Sequence, residues 1–315
     1  MTASLGARIY VAGHRGLVGS AIIRALKKAG NDNLLVRTHQ ELDLTEQSAV
    51  RTFFQDLRPE VVIMAAARVG GIHANNSRPA AFLRDNLLMQ DNVIDAAYRC
   101  GSGKFVFLGS SCIYPRMAPQ PITEDSLLTG PLEPTNEWYA VAKIAGLKMC
   151  QAYRREYGFN AIALMPTNLY GPGDNFDLQN SHVLPALIRK FHDARNRGDE
   201  QVEIWGTGTP RREFLHVDDL ADAVIFMLRN YDDENIVNVG WGEDVTIREL
   251  AHMIKSAVGY GGGLSFDPSK PDGTPRKLLD VSRMNGLGWR PRIPLKAGIE
   301  STYAWFKEHA AEARL

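Results

Sequence analysis

The chain has 315 residues with a 44% hydrophobic share, an ordinary globular balance with room for one large domain plus a satellite, or for two domains sharing a cleft. Its 36 basic and 36 acidic side chains cancel, so overall charge gives no attraction for nucleic acid, and an anionic ligand would need a local patch. The three cysteines, Cys100, Cys112 and Cys150, are widely spaced and form no C-x-x-C pair, which argues against a disulfide framework or a zinc centre and for a reducing compartment.

Short β-branched runs alternate with helical patterns through the first half. Residues 8–12 read as a strand, 17–29 as a helix, 34–37 as a strand and 46–57 as a helix. Strands follow at 61–65 and 104–109, separated by a long helix near 82–98, and a helix beginning near Trp138 precedes a strand at 161–165. This alternation predicts a parallel sheet covered on both faces. After Tyr170, Gly171-Pro172-Gly173-Asp174 is turn chemistry. Beyond it the spacing predicts helices over Val183–Arg197 and 247–257, a strand at 236–240 that rejoins the sheet, and loops at 261–263 and 268–275. Residues 1–170 are expected to form a nucleotide-binding domain. Residues 171–315 should mainly form a smaller capping domain, with segments near 213–245 returning to the first. The N-terminus lacks a signal-peptide layout, and no apolar run approaches the roughly 18 residues that span a bilayer. A cytoplasmic protein is expected.

Gly13-His14-Arg15-Gly16-Leu17-Val18-Gly19 places three glycines between a strand and a helix. Gly13 would allow the tight turn, Gly16 the approach of a pyrophosphate and Gly19 close helix–strand packing. The helix N-terminus then offers free N–H groups and a positive dipole. The next strand ends at Arg37, where an NAD enzyme usually carries an acid. Arg37, with Arg15 and His39, favours the 2′-phosphate of NADP(H), the alternative being a solvated strand end. Asp43 either borders the adenine or caps the following helix.

Tyr139-Ala140-Val141-Ala142-Lys143 is Tyr-x-x-x-Lys, whose two functional positions share a helix face. An ammonium beside a phenol would lower its pKa and ready it for proton exchange with a carbonyl oxygen. Leu108-Gly109-Ser110-Ser111-Cys112 ends a strand, and in open parallel sheets the carboxyl ends of strands face the ligand crevice. Ser110 can donate a hydrogen bond to the same oxygen.

With these motifs in this order, the chain resembles the extended short-chain dehydrogenase/reductases. The resemblance implies an α/β fold, namely a Rossmann-type doubly wound parallel sheet with a smaller C-terminal substrate-binding α/β domain, and Ser110, Tyr139 and Lys143 as a catalytic triad. Longer words are similar to the branch that epimerises and reduces GDP-4-keto-6-deoxy-D-mannose: Val69-Gly70-Gly71, Cys112-Ile113-Tyr114-Pro115, Asn180-Ser181-His182, Arg212-Glu213-Phe214-Leu215-His216 and Lys270-Pro271-Asp272-Gly273. The resemblance to that branch implies NADPH-dependent 3,5-epimerisation and 4-reduction of a GDP-sugar to GDP-L-fucose. Cys112 and His182 would be the proton-transfer pair, and Pro166, Thr167, Asn168 and Leu169 would line the nicotinamide pocket. Lys190, Trp205, Arg212 and Asp272, with Lys277, would contact the substrate. Pairing of the helices near 82–98 and 139–157 into a homodimer is also implied. On the residues alone, Cys112 also reads as an inert thiol and His182 as a helix cap. Three rival readings remain: C5-only epimerisation and reduction of a 3-deoxy keto-sugar, a UDP-sugar epimerase or dehydratase with tightly held NAD, and a non-catalytic NADP sensor.

Overall fold

The computed structural model describes residues 6–310; the outermost parts of the two expected domains, residues 1–5 and 311–315, lie outside the described residues. The chain opens with β1 (Ile9–Ala12), α1 (Leu17–Lys28), β2 (Leu34–Leu35), α2 (Gln47–Leu57) and β3 (Val61–Met64). Next come α3 (Ile72–Ser77), α4 (Pro79–Arg99), β4 (Lys104–Leu108), α5 (Glu137–Tyr157), β5 (Ala161–Pro166) and β6 (Asn168–Tyr170). The remainder runs α6 (Val183–Arg197), β7 (Gln201–Trp205), β8 (Arg211–His216), α7 (Val217–Asn230), β9 (Val237–Val239), β10 (Asp244–Thr246) and α8 (Ile247–Val258). It ends with β11 (Gly263–Asp267), β12 (Arg276–Lys277), α9 (Ser282–Gly286) and α10 (Leu295–Glu308).

Six strands in the order β2-β1-β3-β4-β5-β9 form the main sheet, and its pairings are parallel. Both faces are covered, so the inner strands are apolar except at Lys104, which opens β4. Alternate residues serve opposite layers. Tyr10, Ala12, Val62, Met64, Phe105, Phe107, Ala161 and Ala163 join Val50, Phe54, Val93 and Leu147 of α2, α4 and α5 in one core. Ile9, Val11, Ile63, Val106, Ile162, Leu164 and Val237 join Ile22, Leu26, Leu220 and Val224 of α1 and α7 in the other. Phe105 and Phe107 are fully buried, and each contributes about 2–3 kcal/mol of hydrophobic stabilisation. On the first face α5 lies close to the sheet: a Cβ at Gly146 would stand 2.5 Å from Gln90 Oε1 and 2.6 Å from Phe107 Cζ. Gln90 Nε2 donates to the Ala142 carbonyl at 2.6 Å, tying α4 to α5.

One residue, Thr167, separates β5 in the main sheet from β6, which pairs in parallel with β8. Around β8 a second sheet gathers β10, antiparallel, and β12, parallel. Parallel β7 and β11 form a two-stranded sheet. A third core, including Leu187, Phe191, Leu250, Ile254, Ile299 and Phe306, packs α6, α8 and α10 together. Helix α8 starts with a reciprocal Thr246–Glu249 capping box, which satisfies two otherwise free N–H groups. No helix of the described residues is long and apolar enough to cross a membrane.

The elements depart from the sequence expectations in definite places. The strand expected at 34–37 pairs only at Leu34 and Leu35, because β2 is an edge strand with a single neighbour. The long helix expected near 82–98 extends over Pro79–Arg99, and α3 precedes it. Gly263, read as loop, opens β11 opposite Gln201. Strand β8 carries Arg211, Arg212 and Glu213, and those charges mask its strand character.

A buried polar knot closes the far edge of the main sheet. Asn238 of β9 donates to the Ile122 and Asp280 carbonyls at 3.0 and 3.1 Å, accepts from Tyr114 Oη at 2.6 Å, and its N–H reaches Glu124 Oε1 at 3.0 Å. It thereby fixes the chain just after Cys112 and just after Lys277. Asn238→Ala strips the Tyr114 hydroxyl and the Asp280 carbonyl of their bonds to this side chain, while the Ile122 carbonyl keeps the Asp280 N–H at 2.8 Å, and it should cost about 2–3 kcal/mol. Urea unfolding should show a lower midpoint with an unchanged slope.

Candidate active site

Strands β1, β3, β4 and β5 all point their carboxyl ends into one cleft of about 980 Å³, at the upper end of ordinary ligand-pocket sizes. At its β1 end, Gly13 has φ +79°, and a Cβ on Gly19 would stand 2.2 Å from the Gly13 carbonyl oxygen. The Gly16 N–H closes the turn on that same oxygen at 2.9 Å. Gly16 is also the residue before α1, and it carries no side chain to cap the helix. The first N–H groups of α1 therefore face the cleft beside Gly13, Gly16, Leu17 and Val18, a cradle suited to a pyrophosphate. His14, Arg15 and Gly19 do not form its wall. Gly19 is buried behind it, Arg15 is exposed, and His14 is half-buried beside the Arg37 backbone.

Arg37 lines the cleft rim, its Nη1 donating to the Val36 carbonyl at 2.8 Å and its guanidinium 5.4 Å from the Phe53 ring centre. His39 is beside it, and Arg15 and Arg37 both act on Glu41. Asp43 also lines the cleft, but its Oδ1 accepts from Thr45 N and Oγ1 at 2.9 and 2.8 Å. Those bonds hold its carboxyl below the usual range. The residue before α2 is Glu46, so Asp43 is a turn-former rather than the cap.

In the middle of the cleft lie Leu108, Gly109, Ser110, Cys112, Tyr139 and Lys143. The buried Lys143 ammonium donates to the Leu108 carbonyl at 2.8 Å. It sits 4.9 Å from the Phe107 ring centre and 5.9 Å from that of Tyr139. Burial pulls this amine down to about 8. The phenol of Tyr139 is pushed up, first by burial and then by Cys112, with a hydrogen bond to Ser110 opposing. This corrects the expectation of a lysine-acidified phenol: Lys143 is itself desolvated and committed to a carbonyl. Tyr139 remains a protonated donor at neutral pH, the form required to protonate a ketone oxygen.

Ser110 precedes a short 3-10 turn, Ser111–Ile113, and its Oγ accepts from Cys112 N at 3.2 Å. Cys112 Sγ receives Asn136 Nδ2 at 3.3 Å and Lys277 Nζ at 3.5 Å. His182 stands just before α6 but makes no side-chain capping bond among the described residues. Its imidazole opens onto the cleft's solvent while walled by protein. Enclosure by the cleft walls, then the Lys277 charge, lowers its pKa.

Pro166, Thr167, Asn168 and Leu169 line the same cleft. Thr167 Oγ1 and Asn168 Nδ2 both donate to the Glu213 carbonyl, at 3.3 and 2.8 Å, so they also brace β5 and β6 against β8.

Lys190, Trp205, Arg212 and Asp272 line the opposite end. Lys190 Nζ donates to the Glu203 carbonyl at 3.0 Å and lies 5.0 Å from the Trp205 ring centre, with Lys270 at 5.6 Å from that centre. The half-buried Arg212, its pKa lowered chiefly by desolvation, donates from Nη2 to the Asp272 carbonyl at 3.2 Å. The Asp272 carboxylate is already engaged by Thr207 N and Oγ1, both at 2.8 Å, so this side chain shapes the wall. Lys277, grouped with the nucleotide contacts on sequence, instead sits at the sulfur. Asn136 was not singled out, because Pro134-Thr135-Asn136-Glu137 reads as a plain helix start. Among the described residues no cluster of histidine, cysteine and carboxylates is arranged to hold a metal.

Comparison with known proteins places this geometry in context. A GDP-L-fucose synthase 1 of Arabidopsis thaliana is 60% identical over 300 residues, spanning 95% of this chain and 93% of that protein. Among solved structures, a GDP-6-OMe-4-keto-L-xylo-heptose reductase from C. jejuni superposes with a TM-score of 0.94 at 39% identity, covering 98% of this chain and 100% of that one. A GDP-L-fucose synthetase from Naegleria fowleri bound to NADP superposes with a TM-score of 0.92 at 30% identity, covering 100% and 98%. Residues 9–240 match the NAD dependent epimerase/dehydratase family, and with a glycine cradle, Ser110, Tyr139 and Lys143 meeting in one cleft, the chain belongs to that family.

Proposed function

We propose that the chain is a GDP-L-fucose synthase, converting GDP-4-keto-6-deoxy-D-mannose to GDP-L-fucose by 3,5-epimerisation followed by NADPH-dependent 4-reduction. The observation that carries this reading is the convergence of two proton-handling sets on one cleft: Ser110–Tyr139–Lys143 and Cys112–His182. An ordinary reductase needs only the first.

The glycine cradle, the uncapped start of α1 and the rim arginine Arg37 fit a dinucleotide 2′-phosphate. When bound, NADPH supplies the hydride for C4. The 4-keto group acidifies the neighbouring C–H bonds. Cys112, as thiolate, removes a proton, and the C–H electron pair moves into an enolate on the C4 oxygen. His182, charged with a proton from cleft water, returns one to carbon from the other face. Ser110 and Tyr139 hold the C4 oxygen, and Tyr139 protonates it as the alcohol forms. Lys143 holds the nicotinamide ribose and the Leu108 carbonyl. Lys190 and Arg212 meet the diphosphate, and Trp205 offers a face to the base or sugar.

In this reading residues 1–170, joined by α7 and β9, form the NADP unit, and most of 171–315 forms the GDP-sugar unit. Exposed Trp138 and Val141 on α5 fit pairing of α4 and α5 between two copies, and three free cysteines fit a cytoplasmic setting.

The deciding experiment is incubation with GDP-4-keto-6-deoxy-D-mannose and NADPH, with NMR identification of GDP-L-fucose as product. Absence of NADPH oxidation with this substrate, or oxidation only with a 3-deoxy keto-sugar, overturns the assignment. Tyr139→Phe should lower the reduction rate by at least about 10²-fold in single-turnover assays, because the ketone oxygen loses its proton donor. Cys112→Ser should suppress solvent-deuterium incorporation into the sugar while NADPH affinity by fluorescence titration is unchanged. Arg37→Glu should weaken NADPH more than NADH, since it places a like charge at the 2′-phosphate.

A further inference from the structure

We propose that Lys277 and Asn136 are the positioning residues of the epimerisation base: they hold Cys112 Sγ as a proton acceptor, and Lys277 supplies the charge that balances it. The proposal deepens the reading above and rests on Cys112 being the base.

The first observation is the hydrogen-bond inventory at the sulfur. Asn136 Nδ2 and Lys277 Nζ both donate to Sγ, at 3.3 and 3.5 Å. An ammonium has donors only, and an amide NH₂ likewise. A sulfur that receives two donors is arranged for its anionic form, in which both bonds are charge-assisted.

The second is where Asn136 spends its side chain. It occupies the residue before α5, where asparagine normally caps the helix, yet it makes no capping bond among the described residues. Its amide turns to the sulfur instead, and its Oδ1 is buried with no partner among the described residues.

The third is how firmly Lys277 is placed. It pairs with Arg212 in the β12–β8 ladder. The next N–H groups are taken by side chains: Leu278 N by Gln120 Oε1 at 2.9 Å and Leu279 N by Glu213 Oε2 at 3.1 Å. On the other side Thr274 Oγ1 donates to Glu133 Oε2 at 3.2 Å.

The charged and titratable groups around Sγ come from each packed element. Tyr139 faces it from α5, Arg212 from β8 and Lys277 from β12, while Glu133 lies against Arg212. Lys277 also acts on His182 at the start of α6 and helps to push that imidazole down. One ammonium thus favours the anionic base and discourages a second cation at the proton-returning group. During epimerisation the thiolate gains the substrate proton and becomes a thiol, while His182 gives up a proton and becomes neutral. The net charge around Lys277 is therefore the same before and after the exchange.

The test uses the intact protein without substrate, alkylated by iodoacetamide, with modification at Cys112 followed by peptide mass spectrometry. Lys277→Met should slow alkylation about tenfold at pH 7, because removing a cation at this distance lowers the thiolate fraction. The difference should vanish at strongly alkaline pH, where the cation no longer limits alkylation; a merely structural lesion would persist there. Lys277→Arg should restore most of the rate, and Asn136→Ala should slow it by about threefold. NMR titration of His182 should show a higher midpoint in Lys277→Met. With GDP-4-keto-6-deoxy-D-mannose, solvent-deuterium incorporation should fall in step with alkylation while KM changes little. Unchanged alkylation with a raised KM would make Lys277 a substrate contact and overturn the proposal. Should Lys277→Met not fold, Lys277→Gln carries the same comparison. Failure of the keto-sugar to turn over would sink the assigned reaction but leave the alkylation result to decide the role of Lys277.

Discussion

The bond from the Lys143 ammonium to the Leu108 carbonyl is the constraint on which the cleft depends. It ties α5 to the end of β4 at a point where water is excluded. With Gly146 allowing α5 against Phe107 and Gln90, it fixes the height of the helix over the sheet. Tyr139, one turn earlier, is then carried to Ser110, and Asn136, almost one turn before that, to the Cys112 sulfur. A single anchored helix thus presents a phenol to the cleft and an amide donor to the thiol. Lysine here is a strut as much as a charge, and the phenol's own burial is what pushes it toward its protonated form.

Burial also governs the cations along the cleft. Lys143, Lys190 and Arg212 are all disfavoured in their charged forms chiefly by loss of water. Such a cleft holds desolvated positive charge in waiting, and an anionic ligand relieves that cost on arrival. The protein's zero formal charge therefore says little about its affinity for a diphosphate, since what matters is local and partly dehydrated.

Much of the main sheet was legible in the sequence because its inner strands are nearly continuous apolar runs, broken by Lys104 at the start of β4, as expected of parallel strands buried on both faces. The glycine turn and Tyr-x-x-x-Lys were legible because each has a fixed spacing with a mechanical reason behind it. Elements around β8 were not, since Arg211, Arg212 and Glu213 place charge where strand patterns look for apolar residues. The burial of Glu213 is explained only by the N–H groups of Gly242 and Leu279, which come from distant parts of the chain. Asn136 escaped notice for the opposite reason: its local pattern has a complete explanation as a helix start, and only the fold brings the sulfur to it. The acidic phenol inferred from helix spacing failed because proximity along a helix says nothing about where the lysine's protons are directed.

The passage from β5 to β6 through Thr167 alone has a mechanical consequence. The two sheets share what is nearly one continuous rod, and both Thr167 and Asn168 are latched to the Glu213 carbonyl. Swinging the two halves apart like a clamshell would have to break that rod at its most crowded joint. The scaffold therefore resists hinging at the junction of its two sheets, and the walls of the cleft on either side of that junction keep a fixed spacing.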